Sequence, residues 1–392
     1  MTNTKHSVIV DTDPGVDDAL ALLFAFGSPN IDIRAITVTQ GNTTLQNSFR
    51  NLKQILTVQA AHERYLAEHK TDATVNAPGT LLSRDEPVVV ALGAGKPLEG
   101  EPTYAHFYHG DDGLGFYFKD EKLQEDDLDQ TKAVAGATKA ANPTQEDKDA
   151  AKELYTLSAR SAEDEILHQL ETHPEGTVSI VALGPLTNVA KAIQKDPLTM
   201  KRVKHIFTMG GAIDHPGNIT PVAEFNWHGD TLAAHIVIAS DLPVRVVPLD
   251  VTMVSSIVDS HYLKTHAEPL QTPLSNFVST ITDHVLGLTE RTIGFRWLFM
   301  HDPLTIGALV DPTLLEFTPL DFQVEPTGTF TKGMCVVDRR TGPKGTPASK
   351  KRTNIEVALK GDTHKFLVMF YKTLFGLDWD KFEKVPAKSS AS

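Results

Sequence analysis

The chain of 392 residues is 41% hydrophobic and 22% charged, with 26 glycines and 23 prolines, which excludes wholesale disorder and supports a large core. Fifty acidic residues against 37 Lys plus Arg give a formal charge of -13, so the average field repels polyphosphate and a nucleic-acid polymer is not an expected partner. The single cysteine, Cys335, excludes a disulfide framework and a cysteine-rich zinc site, and the absence of a secretory-type apolar segment or a membrane-length apolar run predicts a cytoplasmic protein.

The first predicted unit is an apolar strand, Ser7 to Val10, running into DTDPGVDD and then an apolar helix, Ala19 to Ala25. The unit recurs: Ile31 to Thr39 reads as strand, Gly41-Asn42 as loop, and Leu45 to Ala61 as a helix with apolar residues at helical spacing. Val88 to Leu92 is a third buried strand ending in glycines. From about Lys119 to Glu153 the chain is rich in Asp, Glu, Lys, Gln and Ala, the composition of a solvated insertion.

The rhythm resumes with Thr177 to Leu183 before Gly-Pro-Leu-Thr-Asn, with Val203 to Met209 before Gly210-Gly211, and with Val244 to Leu249, ending at Asp250. Continuous apolar strands alternating with helices predict an α/β fold, a Rossmann-like open, mostly parallel sheet with helices on both faces. Ligands of such sheets bind beyond the carboxyl ends of the strands. A single domain over residues 1–384 is expected, with the insertion at about 119–153 and a mobile tail, 385–392.

Asp11, Asp13, Asp17 and Asp18 fall where the first strand gives way to its helix. Four carboxylates so close repel unless a proton or cation intervenes, and hard oxygen ligands in that number favour Ca²⁺ or Mg²⁺. First-turn acids also complement a helix dipole, but that accounts only for Asp17 and Asp18. Alternation along an extended segment predicts that Asp11 and Asp13 point the same way, with Pro14-Gly15 turning the helix start back toward them.

The run Asp11 to Ala21, DTDPGVDDALA, resembles the signature of the inosine-uridine preferring nucleoside hydrolases. The resemblance implies the nucleoside hydrolase fold and a Ca²⁺-dependent hydrolysis of ribonucleosides, such as uridine or inosine, to ribose and free base. It implies that Asp13 activates the attacking water and binds calcium, that Asp17 holds ribose hydroxyls, and that Asp18 is a calcium ligand. Haloacid-dehalogenase-like phosphotransferases also begin with strand-DxD, but Pro14 and the Asp17-Asp18 pair depart from their pattern. A nucleoside-binding protein without catalysis is the third reading, and every position implied by the resemblance is filled.

Downstream segments extend the resemblance to about Phe366. Asn42 matches a ribose-contacting asparagine, although Gly-Asn by itself is an ordinary turn. In Tyr108-His109-Gly110, His109 matches a histidine on the base side of the pocket. VALGPLTNVA resembles a turn preceded by a calcium-binding main-chain carbonyl, here that of Leu183. The blocks MGG, GN and AEFN imply that Asn218, Glu224 and Asn226 bind ribose hydroxyls and that Met209 packs under the sugar, a donor and acceptor set suited to a polyol.

In HDPL, Asp302 matches an aspartate that binds calcium and touches ribose, and His301 stands where one branch of the family has a general acid for the leaving base. Thr329 to Arg340 resembles a late strand block that bears on fold. Between Thr289 and Trp297 no pocket-lining aromatic is assigned. The resemblance further implies a homo-oligomer, dimer or tetramer, acting on a small-molecule nucleoside in purine or pyrimidine salvage; the net charge and the lack of a membrane-length apolar run predict neither nucleic acid nor membrane as partner.

Overall fold

The computed structural model describes residues 5–69, 81–118, 154–339 and 352–382, and both the predicted insertion at 119–153 and the tail 385–392 lie outside them. Strand β1 (His6–Thr12) is central, because Val8, Ile9 and Val10 are apolar on both sides of the pleat and wholly buried. Val8 and Val10 enter one core, shared with helix α1 (Val16–Gly27), while Ile9 enters a second core on the opposite face with Ile180 and Ala182. Helix α1 is apolar around nearly its whole circumference and packs between α2 (Leu45–Glu68) and the helix His301–Val310.

Nine strands form the main sheet in the order β10-β13-β7-β6-β5-β1-β2-β3-β4. They are β2 (Ile31–Val38), β3 (Val88–Leu92), β4 (Tyr155–Leu157), β5 (Val178–Ala182), β6 (Ile206–Met209), β7 (Val244–Val247), β10 (Leu315–Pro319) and β13 (Ile355–Gly361), besides β1. Only β10 runs antiparallel to its neighbour, so the sheet is the mostly parallel α/β sheet expected. The chain proceeds outward from β1 through β2 on one side and returns on the other side as β5. That reversal places a switch-point crevice above the carboxyl ends of β1 and β5, where the aspartates and Leu183 stand.

The elements differ from the sequence expectation mainly at their ends. Strand β6 begins at Ile206 rather than Val203, since residues 201–205 are turn and coil. Strand β7 stops at Val247, and Leu249 and Asp250 open a helix, Leu249–Ser255, behind Pro248. The late block forms β12 (Cys335–Val337), which pairs with β11 (Phe322–Val324) in a separate two-stranded sheet instead of joining the main one. Its Phe322 stacks on Trp227, so the hairpin buttresses a segment that leads to the crevice. A second small sheet joins β8 (Ile257–Asp259) to β9 (Trp297–Phe299), and β9 delivers the chain to His301. Among the described residues no helix is long and apolar enough to cross a membrane.

Candidate active site

Strand β1 ends at Thr12, and the two aspartates flanking that end take different surroundings. Asp11 stays in the sheet, where its Oδ1 accepts from Thr37 Oγ1 at 2.6 Å and Asn188 Nδ2 at 2.8 Å. Asp13 has left the pleat, and its Oδ2 accepts the Asn42 N–H at 2.6 Å. The expectation that the two point the same way assumed that the strand alternation carries on past Thr12. Asp18 anchors the turn that follows β1, accepting from Thr12 Oγ1 at 2.5 Å, Gly15 N at 3.0 Å and Asn42 Nδ2 at 2.8 Å.

Ligand oxygens of Asp17, Asp18 and Asp302 all lie within 4.8 Å of one another. Among the described residues no lysine or arginine forms an ion pair with these three or with Asp13, and Asp13 Oδ1 and Asp17 Oδ1 are buried without a hydrogen-bond partner. Burial is the main reason that all four carboxyls hold their protons above the usual carboxylate range, and mutual repulsion reinforces it for Asp13, Asp17 and Asp302. Asp17 is raised to about 8 by burial and then by Asp18. A buried, all-oxygen group with no basic counter-ion fits a hard divalent cation.

The crevice is a cavity of about 400 Å³, a usual size for a small-molecule site. Asp17 and Asp302 stand on its wall with Asn42, Asn218, Glu224 and Asn226, while Asp13 and Asp18 lie behind the wall. Glu224 caps the helix Phe225–Gly229: Oε1 accepts Asn226 N at 2.7 Å, and Oε2 accepts Gly211 N at 3.0 Å and Trp227 N at 3.1 Å. Burial nevertheless raises its carboxyl to about 7. Asn218 Oδ1 accepts the Phe225 N–H at 2.8 Å. Asn226 Nδ2 donates to the Leu183 carbonyl at 2.6 Å and lies 3.3 Å from Met209 Sδ, which ties two other expected residues to one amide.

His109 is anchored rather than free. Its Nδ1 accepts the Val16 N–H at 3.1 Å, which leaves the proton on Nε2, 3.9 Å from Asp17 Oδ1. Burial, with smaller contributions from His301, His284 and His106, lowers it to about 3, so the ring is neutral. His301 also lines the cavity, with Nδ1 at 2.8 Å from Thr252 Oγ1, and burial lowers it to about 4.

Residues 8–368 match the family described as inosine-uridine preferring nucleoside hydrolase. The chain belongs to that family. It is 32% identical over 328 residues to a probable uridine nucleosidase 1 of Oryza sativa subsp. japonica, covering 83% of each chain. It is 28% identical over 378 residues to the inosine-uridine preferring nucleoside hydrolase of Crithidia fasciculata, covering 96% of this chain and 98% of that one. Among solved structures, a purine-preferring ribonucleoside hydrolase from Gardnerella vaginalis superposes with a TM-score of 0.72 at 26% identity, covering 94% of this chain and 98% of that one. The protein is thus a nucleoside hydrolase, a glycosidase acting on N-glycosyl bonds, and the phosphotransferase and inactive-binder readings find no support.

The nucleoside hydrolase brings most of the residues that the sequence reading singled out to the wall of one crevice, from segments as distant as Asp17 and Asp302; Asp13 and Asp18 lie just behind that wall, and Asp11 stays in the sheet. Sequence reading missed the apolar half of the cavity: Phe107, Met253, Leu288, Ile293 and Phe299. Leu288 and Ile293 belong to the helix Pro273–Ile293, whose inward face is ordinary core, so only assembly reveals which of its last turns reach the site. Phe299 had one available signal, its place two residues before His301. Thr252, which holds His301, had none.

Proposed function

We propose that this nucleoside hydrolase is Ca²⁺-dependent and releases ribose and free base from uridine, inosine or a related ribonucleoside, with Asp13 as the base that takes a proton from the attacking water. Asp13 Oδ1 carries this reading: a buried carboxylate oxygen without a partner, in a group whose proton affinity is raised by burial and by Asp18. A positioned carboxylate oxygen with an open lone pair, kept ionised by a cation bound beside it, is suited to accept a proton.

Asp13, Asp18 and Asp302 with the Leu183 carbonyl would hold the ion; Leu183 O keeps a second lone pair beyond the one given to Asn226. Bound there, Ca²⁺ supplies positive charge that acidifies water and orients hydroxyls. Asp17, Asn42, Asn218, Glu224 and Asn226 grip the ribose hydroxyls, and Met209 supports the sugar from below. Fixing C1′ in this way is worth roughly 7 kcal/mol or more when the geometry is good. His109 stands beside Asp17 toward the base, and His301 donates a proton to the departing base.

The protein acts as one catalytic domain over residues 1–384, a reading supported by β1 and β13, from opposite ends of the chain, sharing one sheet. A cytoplasmic dimer or tetramer serving purine or pyrimidine salvage completes the proposal, in keeping with a single cysteine, Cys335, that is buried and has its thiol pushed up to about 12 by that burial.

The test is ribose release from uridine, inosine, adenosine and cytidine before and after chelation. Release that stops on chelation and returns with Ca²⁺ supports the reading, and the ranking of substrates identifies the base. No release from any of the four by the Ca²⁺-loaded protein overturns it.

A further inference from the structure

Thr252 is wholly buried in the helix Leu249–Ser255, which packs against the helix His301–Val310. Its Oγ1 lies 2.8 Å from Nδ1 of His301. His301 faces the cavity and Thr252 does not, so the threonine meets the site only through the imidazole. Which of the two atoms donates is set by the ring: a neutral ring protonated on Nε2 accepts at Nδ1, whereas a ring protonated on Nδ1, as in the imidazolium, donates to the hydroxyl. The other nitrogen, Nε2, has no protein hydrogen bond among the described residues, and it is the one left for the cavity.

We infer that Thr252 is a positioning residue for proton delivery: its Oγ1 accepts Nδ1–H of His301, fixing the ring so that Nε2 is the nitrogen that exchanges protons with the cavity. This rests on His301 acting as the proton donor to the base. The cycle balances without further reactants. Nε2 takes a proton from water; as the C1′–N bond breaks, its electron pair goes to the base nitrogen and the Nε2 proton follows. The oxygen of the attacking water bonds to C1′ and keeps one hydrogen; its other proton goes to Asp13, which returns it to the hydroxide left when Nε2 was protonated, so that one water is consumed for each bond cleaved. Nδ1 keeps its hydrogen throughout, held by an acceptor that carries no charge. A hydroxyl therefore orients the ring without adding a further anion beside the carboxylates. Valine in its place has nearly the same shape but no acceptor, so the ring is free to turn or to change tautomer.

The test compares T252V, T252S and H301A, each Ca²⁺-loaded and full-length, on the preferred nucleoside and on para-nitrophenyl riboside, whose leaving group departs as an anion without protonation. T252V is expected to lose about 10-fold or more in kcat on the nucleoside, with KM little changed and a clearly smaller loss on the nitrophenyl riboside, and T252S restores most of it. Nitrogen NMR of the wild-type His301 ring is expected to show the Nδ1–H tautomer, mixed in T252V.

Equal losses of T252V on both substrates, or an Nε2–H tautomer in the wild type, overturn the inference. The wild-type spectrum decides even if T252V fails to fold. If H301A itself does not discriminate between the substrates, the proton-donor reading falls; if H301A discriminates and T252V does not, only the role of Thr252 falls.

Discussion

Gly184 approaches Asp13 so closely that a Cβ built on it would stand 2.1 Å from Asp13 Oδ1, and Gly41 crowds the other oxygen at 2.0 Å. Asp13 is thus clamped between two backbones that only glycine permits. Gly184→Ala must push either the carboxylate or the loop after β5, and the core behind it is full. The expected outcome is a loss of about 100-fold in kcat from a displacement on the order of 1 Å, with a stability loss of about 1–3 kcal/mol. Kinetics paired with thermal unfolding check it; turnover near that of the wild type would remove Asp13 from the chemistry.

Chelation should make stability depend on pH in an unusual direction. In the folded, metal-free chain Asp17 is raised to about 8, and Asp11 and Glu224 to about 7, each chiefly by burial. The folded state therefore binds more protons than the unfolded one between the ordinary carboxylate range and these values. Stability from these groups is complete below about pH 4 and is lost as pH rises through about 7 to 8. The Tm of chelated protein is expected to fall from about pH 5 to pH 8, where acid-sensitive proteins usually gain stability. Added Ca²⁺ should reduce the slope, since its charge favours the ionised form of Asp17 beside the ligands Asp18 and Asp302. A Tm of chelated protein that rises over this range would contradict the account.

Asp250 accepts three successive backbone N–H groups, those of Ile213 at 2.8 Å, Asp214 at 2.7 Å and His215 at 3.1 Å. It thereby fixes the loop that leads to Asn218 and Glu224, without lining the cavity itself. Asp250→Ala leaves three donors to find water, at a cost of about 1–3 kcal/mol in stability. Because the loop leads to Asn218 and Glu224, proposed above to bind the ribose, KM is expected to rise about 10-fold. Steady-state kinetics decide between this and a purely structural role, which would lower Tm with KM unchanged.

The sheet and the acidic half of the site were legible in sequence because they rest on local patterns: apolar runs for β1, β2 and β5, and four aspartates at one strand-helix junction. Boundaries were less so. Nothing in Val203-Lys204-His205 reports that β6 starts only at Ile206, and only Pro248 marks where β7 gives way to a helix. The apolar half of the cavity was the least legible. Met253, Leu288 and Ile293 sit on helices whose apolar spacing serves the core equally well, and Thr252 matters only because a residue far along the chain folds against it.

Asp11 and Asp13, two residues apart, provide the sharpest contrast. Asp11 Oδ1 holds Thr37 and Asn188, and Asn188 Oδ1 in turn accepts the Ala94 N–H at 2.9 Å, so Asp11 belongs to a network that joins β1 to the loops after β3 and β5. Asp11→Asn keeps one oxygen for both donors, so Ca²⁺-dependent turnover should stay within about 3-fold of the wild type with a Tm change of a few degrees. Asp13→Asn is nearly the same change in shape, yet it removes the proposed proton acceptor, and kcat should fall by about 100-fold or more while Tm of chelated protein at pH 8 holds or rises. Measuring both variants side by side separates loss of a base from loss of a buried charge. Equal losses of activity would mean that the two carboxyls act as one structural unit, and Asp13 would have no separate catalytic role.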